Sequence, residues 1–298
     1  MNPRYTRPAV APAAGVTLAT LSLLSLAVLP LASPLRAATP RQGATTTAAP
    51  AAPPASAKPE DAKKEEAAKA ILARTVLRYR SFPSLEQTVK GQMTVEVQQI
   101  KIVADIVNNV RMAQPNRFRL DTAVTFQQKT ERGIVTSDGT TVWESDPKAK
   151  RHTEASFASI AKDEDALSDW ITDRFTADVT PLFFLKAAGG PFDQITQAEM
   201  DAVDVSAHPT ETLNGEKVHV VNAGSDRDVL LYIGEKDRLV KRCVLNLTEK
   251  DGTKIRFVLD YGDLKTGRAI PASEFRFDAT GSAKAEKLDT PFDRLFAD

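Results

Sequence analysis

The ionisable residues of this chain do not converge on a familiar catalytic set. Its three histidines, His152, His208 and His219, share no ligand spacing with one another or with nearby carboxylates, so no zinc or calcium site is read from them. There is no G-x-S-x-G elbow, no phosphate-cradling glycine loop and no dinucleotide fingerprint. The single cysteine, Cys243, cannot form an internal disulfide and sits in an alternating apolar run, which reads as a buried core thiol.

Four local motifs invite a chemical reading. Ser159-Ile-Ala-Lys162 matches S-x-x-K and Lys265-Thr-Gly267 matches K-T-G, two of the three motifs of penicillin-recognising serine enzymes. The third, S-x-N, is missing between them, and Lys265-Thr-Gly267 reads as a turn. Asp163-Glu-Asp165 supplies carboxylates suited to acid–base work. They lie opposite Ile160, Leu167, Trp170 and Ile171 on a helical pattern, which makes them a solvated face. Lys148-Ala-Lys-Arg151 reads as a hairpin loop, with an anion or headgroup patch as the alternative. The expectation is a non-enzymatic protein with no catalytic residue, no metal and no cofactor.

What remains is apolar. Leu182-Phe-Phe-Leu185 follows Thr180-Pro181, a cap and a proline suited to a first helical turn, and Gly189-Gly190 stops the pattern. A short helix that is apolar all round needs an apolar neighbour on more than one side. That neighbour is either more core or a bound ligand or partner.

The elements that would position these residues come in three stretches. A helix is expected over 61–80, with Asp61 as its cap and Ala68, Ile71, Leu72, Thr75, Val76 and Tyr79 on one face. The period then changes from 3.6 to 2 through Met93–Val97, Ile100–Ile106, Asn116–Leu120 and Gly133–Trp143, with a tight turn at Asp138-Gly139. A helical middle follows, from Phe157 to Phe175 and again at Thr196-x-x-Glu199, a capping box. Strands return from Val218 to a last strand at Phe275 and Phe277, with turns at Asn214-Gly215 and Asp251-Gly252. Hairpins without strand–helix–strand alternation mean an antiparallel sheet, so the fold class is α+β, with about ten strands wrapped around a few helices.

The amino terminus points to export. Arg4 and Arg7 precede an apolar run, Val16–Leu29, and a small-residue exit near Ala37 and Ala38. Residues 1–38 therefore read as a signal peptide, with an uncleaved anchor as the alternative. Residues 39–60 are Ala, Pro and Thr with almost no large apolar side chain and read as a disordered linker. Residues 61–298 read as one domain. The full chain has 39 basic and 39 acidic residues, and loss of Arg4, Arg7 and Arg36 leaves a net charge of about −3. Such a chain has no long-range field to collect nucleic acid.

Four phrases in order carry a resemblance. Gln114-Pro-Asn-Arg-Phe-Arg119, Val135-Thr-Ser-Asp-Gly-Thr-Thr-Val-Trp143 with Asp146-Pro147, Thr180-Pro-Leu-Phe-Phe-Leu185 and Ala269-Ile-Pro-Ala-Ser-Glu-Phe-Arg-Phe277 resemble segments of the periplasmic outer-membrane lipoprotein carriers, the LolA/LolB-like sorting superfamily. The chain departs from that pattern in its long, acidic 157–212 region and its 39–60 linker. The resemblance implies a strongly curved, unclosed antiparallel β-barrel with helices packed in its concave face and a hydrophobic cavity between them. It also implies a periplasmic protein that binds a lipid acyl chain or a lipoprotein. The expected cavity residues are Phe118, Trp143, Leu182, Phe183 and Phe184. The alternative on the same scaffold is a partner-binding or stress-sensing envelope module, and tethering to the inner membrane or peripheral membrane contact stays open with either.

Overall fold

The structure, a computed structural model, describes residues 59–97, 100–162, 178–185, 205–223, 228–248 and 252–295. The proposed signal peptide and the linker up to residue 58 lie outside the described residues, as do most of the second helical stretch, the Thr196–Glu199 box and the Gly189-Gly190 stop, while Pro59 and Glu60 of the linker belong to the first helix.

Helix α1 runs from Pro59 to Arg80, two residues earlier at its start than the sequence pattern suggests, so Asp61 sits in the first turn rather than at the cap. Its acidic start and basic end suit the helix dipole. The apolar stripe holds: Ala68, Leu72, Thr75, Val76 and Tyr79 are all buried.

Two long strands follow, β1 (Ser84–Val97) and β2 (Ile100–Ala113), paired along their full length. They lead into a meander of β3 (Arg117–Phe126), β4 (Lys129–Asp138), β5 (Thr141–Asp146) and β6 (Arg151–Ser156). Short helices α2 (Phe157–Lys162) and α3 (Thr180–Phe184) come next. A second meander contains β7 (Val205–Leu213), β8 (Glu216–Ala223), β9 (Asp228–Gly234), β10 (Val240–Thr248) and β11 (Lys254–Tyr261). Strand β11 pairs with β1 and joins the two meanders into one sheet. A two-residue β12 (Lys265–Thr266) pairs with β1, and a two-residue β13 (Ala283–Lys284) pairs with β6 in parallel, the one parallel pairing among the described residues.

The sheet thus has thirteen strands rather than about ten. The surplus comes from β7, β12 and β13, which are too exposed or too short to show alternation. Strands β7 and β13 end the order without pairing to each other, so the sheet is antiparallel in the main and unclosed. Laid flat, the eleven spacings from β13 to β7 would span roughly 50 Å at about 4.8 Å each. Yet Val142 of β5, Phe257 of β11 and Val205 and Val221 near the far end share one buried cluster with α1. Only a strongly curved sheet brings them together.

Alternation assigns the two faces. In β3, Phe118, Leu120, Thr122 and Val124 are buried toward the concave side, while Arg117, Arg119 and Asp121 point the other way. Phe275 and Phe277 do not form a last strand. Ala272–Phe275 is a single 3₁₀ turn, and the segment beyond it crosses the convex face as a strap. Phe275 is fully buried there under the Arg117 guanidinium, 5.6 Å from the ring centre. The chain then passes β13 at the sheet edge and returns to the concave side as helix α4 (Pro291–Leu295), where Leu295 joins the core.

Candidate functional site

The concave side is built from α1, α3 and the inward residues of the long strands. Phe118 of β3 is buried and meets Phe157 at the start of α2 edge-on, 6.5 Å between ring centres. Phe184 is fully buried and Leu185 nearly so, in the same cluster. Phe183 is half-buried and stacks on Tyr79 of α1 at 5.6 Å. Leu182 precedes Phe183 in α3, and its side chain is outside the described residues. Phe118 and Phe184 thus belong to the one large buried cluster, with Phe183 packed against it.

Trp143 is not part of it. Its neighbours Val142 and Glu144 point inward, so the one-residue step in β5 turns Trp143 to the convex face. There it stacks on Phe277 of the strap at 6.3 Å, and Phe277 also lies 4.9 Å from His152. The His152 Nδ1 atom shares a hydrogen bond of 3.0 Å with the Ser282 hydroxyl. This group fastens the strap to β5 and β6.

Thr180 is the first residue of α3 rather than its cap. The Thr180 backbone N–H donates to Asp178 Oδ1 at 2.9 Å, and the helix ends at Phe184, with Leu185 extended. Asp178 is 1% exposed. Beside it, the Val179 N–H donates to the Tyr261 hydroxyl at 3.1 Å, and the Val240 N–H donates to the Tyr79 hydroxyl at 3.3 Å. The Thr180 and Tyr261 hydroxyls also reach the Asp178 carboxyl as hydrogen-bond donors. Burial pushes the Asp178 carboxyl up to about 6, against the pull of the Thr180 backbone N–H and of the Thr180 and Tyr261 hydroxyls. Burial also pushes the Cys243 thiol up to about 12 and raises both tyrosines. This polar niche escapes a sequence reading because Tyr79, Asp178 and Tyr261 are far apart in the chain. The one local signal is an aspartate two residues ahead of a helical Thr-Pro.

The remaining sequence candidates do not converge. Ser159 of α2 donates its hydroxyl to the Ser156 carbonyl, as a helix-start contact. Lys265 lies in β12 beside β1, with β2 to β5 between β1 and β6, the strand that α2 follows. Lys148 reaches from its hairpin to the buried Glu131 at 2.6 Å. Among the described residues no group of three or more His, Cys, Asp or Glu is placed to hold a metal, and no helix is long and apolar enough to cross a membrane.

Several solved structures match the chain at low identity. An uncharacterized conserved protein from Thermus thermophilus is 12% identical, over 74% of this chain and 99% of its own, with a TM-score of 0.41. A putative outer membrane lipoprotein-sorting protein domain from Vibrio parahaemolyticus is 10% identical, over 71% and 97%, with a TM-score of 0.32. A LolA superfamily protein from Nitrosomonas europaea is 14% identical, over 70% and 97%, with a TM-score of 0.30. No curated protein matches the chain. A family model does match, from residue 68 inside α1 to the buried Leu288 beyond β13, and so takes in the whole curved sheet; the chain belongs to the predicted periplasmic proteins of family DUF2092.

Proposed function

We propose that this periplasmic protein holds a lipid acyl chain, or the acylated end of a lipoprotein, between the curved sheet and its helices. The observation that carries the reading is the short helix α3, which lays Phe183 on Tyr79 without fully burying it, next to Phe184 in the buried cluster that also holds Phe118. An amphipathic helix that only sealed the core would present a polar side to water. Here the sequence Thr-Pro-Leu-Phe-Phe has no charged residue to present. The proposed contacts are Phe118, Leu182, Phe183 and Phe184. Each methylene moved from water to such a surface contributes roughly 0.8 kcal/mol, enough for a chain of ten or more carbons to bind without any covalent step.

The test is the content of the protein itself. Material isolated from the periplasm and extracted with organic solvent should release lipid in a fixed molar ratio, and added acyl chains should raise the melting temperature. A clean extract together with an unmoved melting temperature would overturn the reading. A stoichiometric protein partner in that same isolate would favour a partner-binding module on this scaffold.

A further inference from the structure

The last turns of α1 carry cations that take no part in the core. Arg74 and Arg78 lie on its exposed side, and the Tyr79 hydroxyl, which accepts from the Val240 N–H, holds the turn between β9 and β10 against the helix. That turn supplies Arg238, half-buried and in the left-handed backbone region at φ 62°. Its Nη1 donates to His219 Nε2 of β8 at 2.8 Å, since a guanidinium can only donate. Burial and the Arg238 charge lower the proton affinity of the His219 ring, Glu235 pulls the other way, and the Arg74 charge adds to the lowering. Two arginines from different elements thus bear on one neutral imidazole. The nearby acids are mostly committed elsewhere: Asp237 and Glu216 both pair with Lys241, at 2.6 and 3.1 Å. Among the described residues no carboxylate lies within ion-pair distance of Arg74 or Arg238.

We infer that Arg74 and Arg238 form a binding site for a phosphate group, with His219 as the residue that positions Arg238. The planar fork of N–H donors on arginine matches the oxygens of a phosphate. Arg238 spends one N–H on His219 and keeps the others for a ligand. A phosphate offers oxygens on several sides, so it can bridge cations that arrive from α1 and from the β9–β10 turn; a carboxylate presents its oxygens in one plane. The imidazole contact fixes the Arg238 fork in advance, which lowers the ordering cost of binding. The same chemistry comes as free phosphate or as the head group of a phospholipid. The site stands apart from the chain-binding reading above and does not depend on it.

The experiment follows the His219 ring signals by NMR while inorganic phosphate is added to the full-length protein at neutral pH, with chloride at matched ionic strength as the control. Phosphate should move these signals in a saturable way, and chloride should not. Arg74→Gln, on the exposed side of the helix, should weaken phosphate binding about fivefold and leave the fold intact. Lys254→Gln should leave the affinity unchanged, because Lys254 pairs with Thr248 at the opposite end of β10 from Val240. Dihexanoylphosphatidylglycerol is the second probe. Tighter binding than inorganic phosphate assigns the site to a lipid head group, and equal or weaker binding assigns it to free phosphate; both uphold the site. Signals that move alike in phosphate and chloride overturn it, as does an equal loss of affinity in Arg74→Gln and Lys254→Gln. Inorganic phosphate has no chain, so its result leaves the lipid-extraction test of the chain-binding reading independent.

Discussion

Asp178 is the residue at which the fold accepts an electrostatic cost, and the sign of that cost is open to measurement. Its carboxyl is held at about 6, above its ordinary 3.8, because burial disfavours the charged form. The groups facing it are Tyr79 from α1, Tyr261 from β11 and Cys243 from β10, each raised in turn by burial and so neutral at pH 7. None of them supplies a positive charge. A raised carboxyl means that the folded state binds more protons than the unfolded chain between about pH 4 and 6. Stability is therefore full below the unfolded value, falls as pH rises through about 6, and stays lower above it. The difference corresponds to about 3 kcal/mol at most. Asp178→Asn keeps the acceptor for the Thr180 N–H without the charge. Its urea midpoint should exceed that of the unaltered protein at pH 7.5 and coincide with it near pH 4. An equal offset at both pH values would show that the carboxyl is not titrating as described. The sequence shows an aspartate near a helix start and nothing of this, since burial here is a property of three distant segments meeting.

At the scale of elements, period-2 alternation made most of the sheet legible, and its failures have physical causes. Strand β7 carries Pro209 and a register shift between His208 and Glu211, and much of it is exposed, so its apolar residues do not alternate. Such features are what an edge strand needs to resist pairing with other chains. In the sequence the strap has the pattern of a strand because Phe275 and Phe277 alternate, but they face the outside of the sheet rather than its core. Phe118 and the α3 phenylalanines were legible as apolar residues without an obvious exposed side, whereas Trp143 went to the other face through the parity of β5. The seam between the two meanders shows a feature that alternation cannot report. At Gly91 an added Cβ would lie 2.0 Å from the Val258 carbonyl oxygen and 2.9 Å from the Leu259 Cα. Glycine there lets β11 cross β1 closely, and so helps to bend the sheet. Gly91→Ala pushes on backbone rather than on a flexible side-chain end. It should cost about 3 kcal/mol or more in chemical denaturation, and a loss under about 1 kcal/mol would mean that the seam has slack.

For the whole molecule, an open sheet of this width has two ends to protect, and they are protected differently. The β7 end relies on its proline and irregular register, with α1 packed against the strand. The β6 end is closed by the chain terminus, which pairs β13 to it and then turns α4 onto the concave face over Gly133, where an added Cβ would meet Pro291 at 2.8 Å. Arg294 fixes this turn. Its guanidinium lies 3.2 Å from Asp146 and 3.6 Å from Glu131, whose side chains are 5% and 2% exposed, and it donates to the Asp289 and Arg132 carbonyls. Two carboxylates so deep in the sheet need that charge, because removing one partner of a buried ion pair leaves the other desolvated and unpaired; Lys148 compensates Glu131 alone. If α4 were a mere appendage, Arg294→Met would free the last residues to proteolysis and leave the midpoint of unfolding where it was. Leu295, however, belongs to the same buried cluster as Tyr79 and Phe257. The substitution should therefore lower the stability of the entire sheet by about 3 to 5 kcal/mol, in one transition seen alike by tryptophan fluorescence and by circular dichroism. Two separate transitions, or an unchanged midpoint with a clipped terminus, would show that the two ends of the sheet do not share one core.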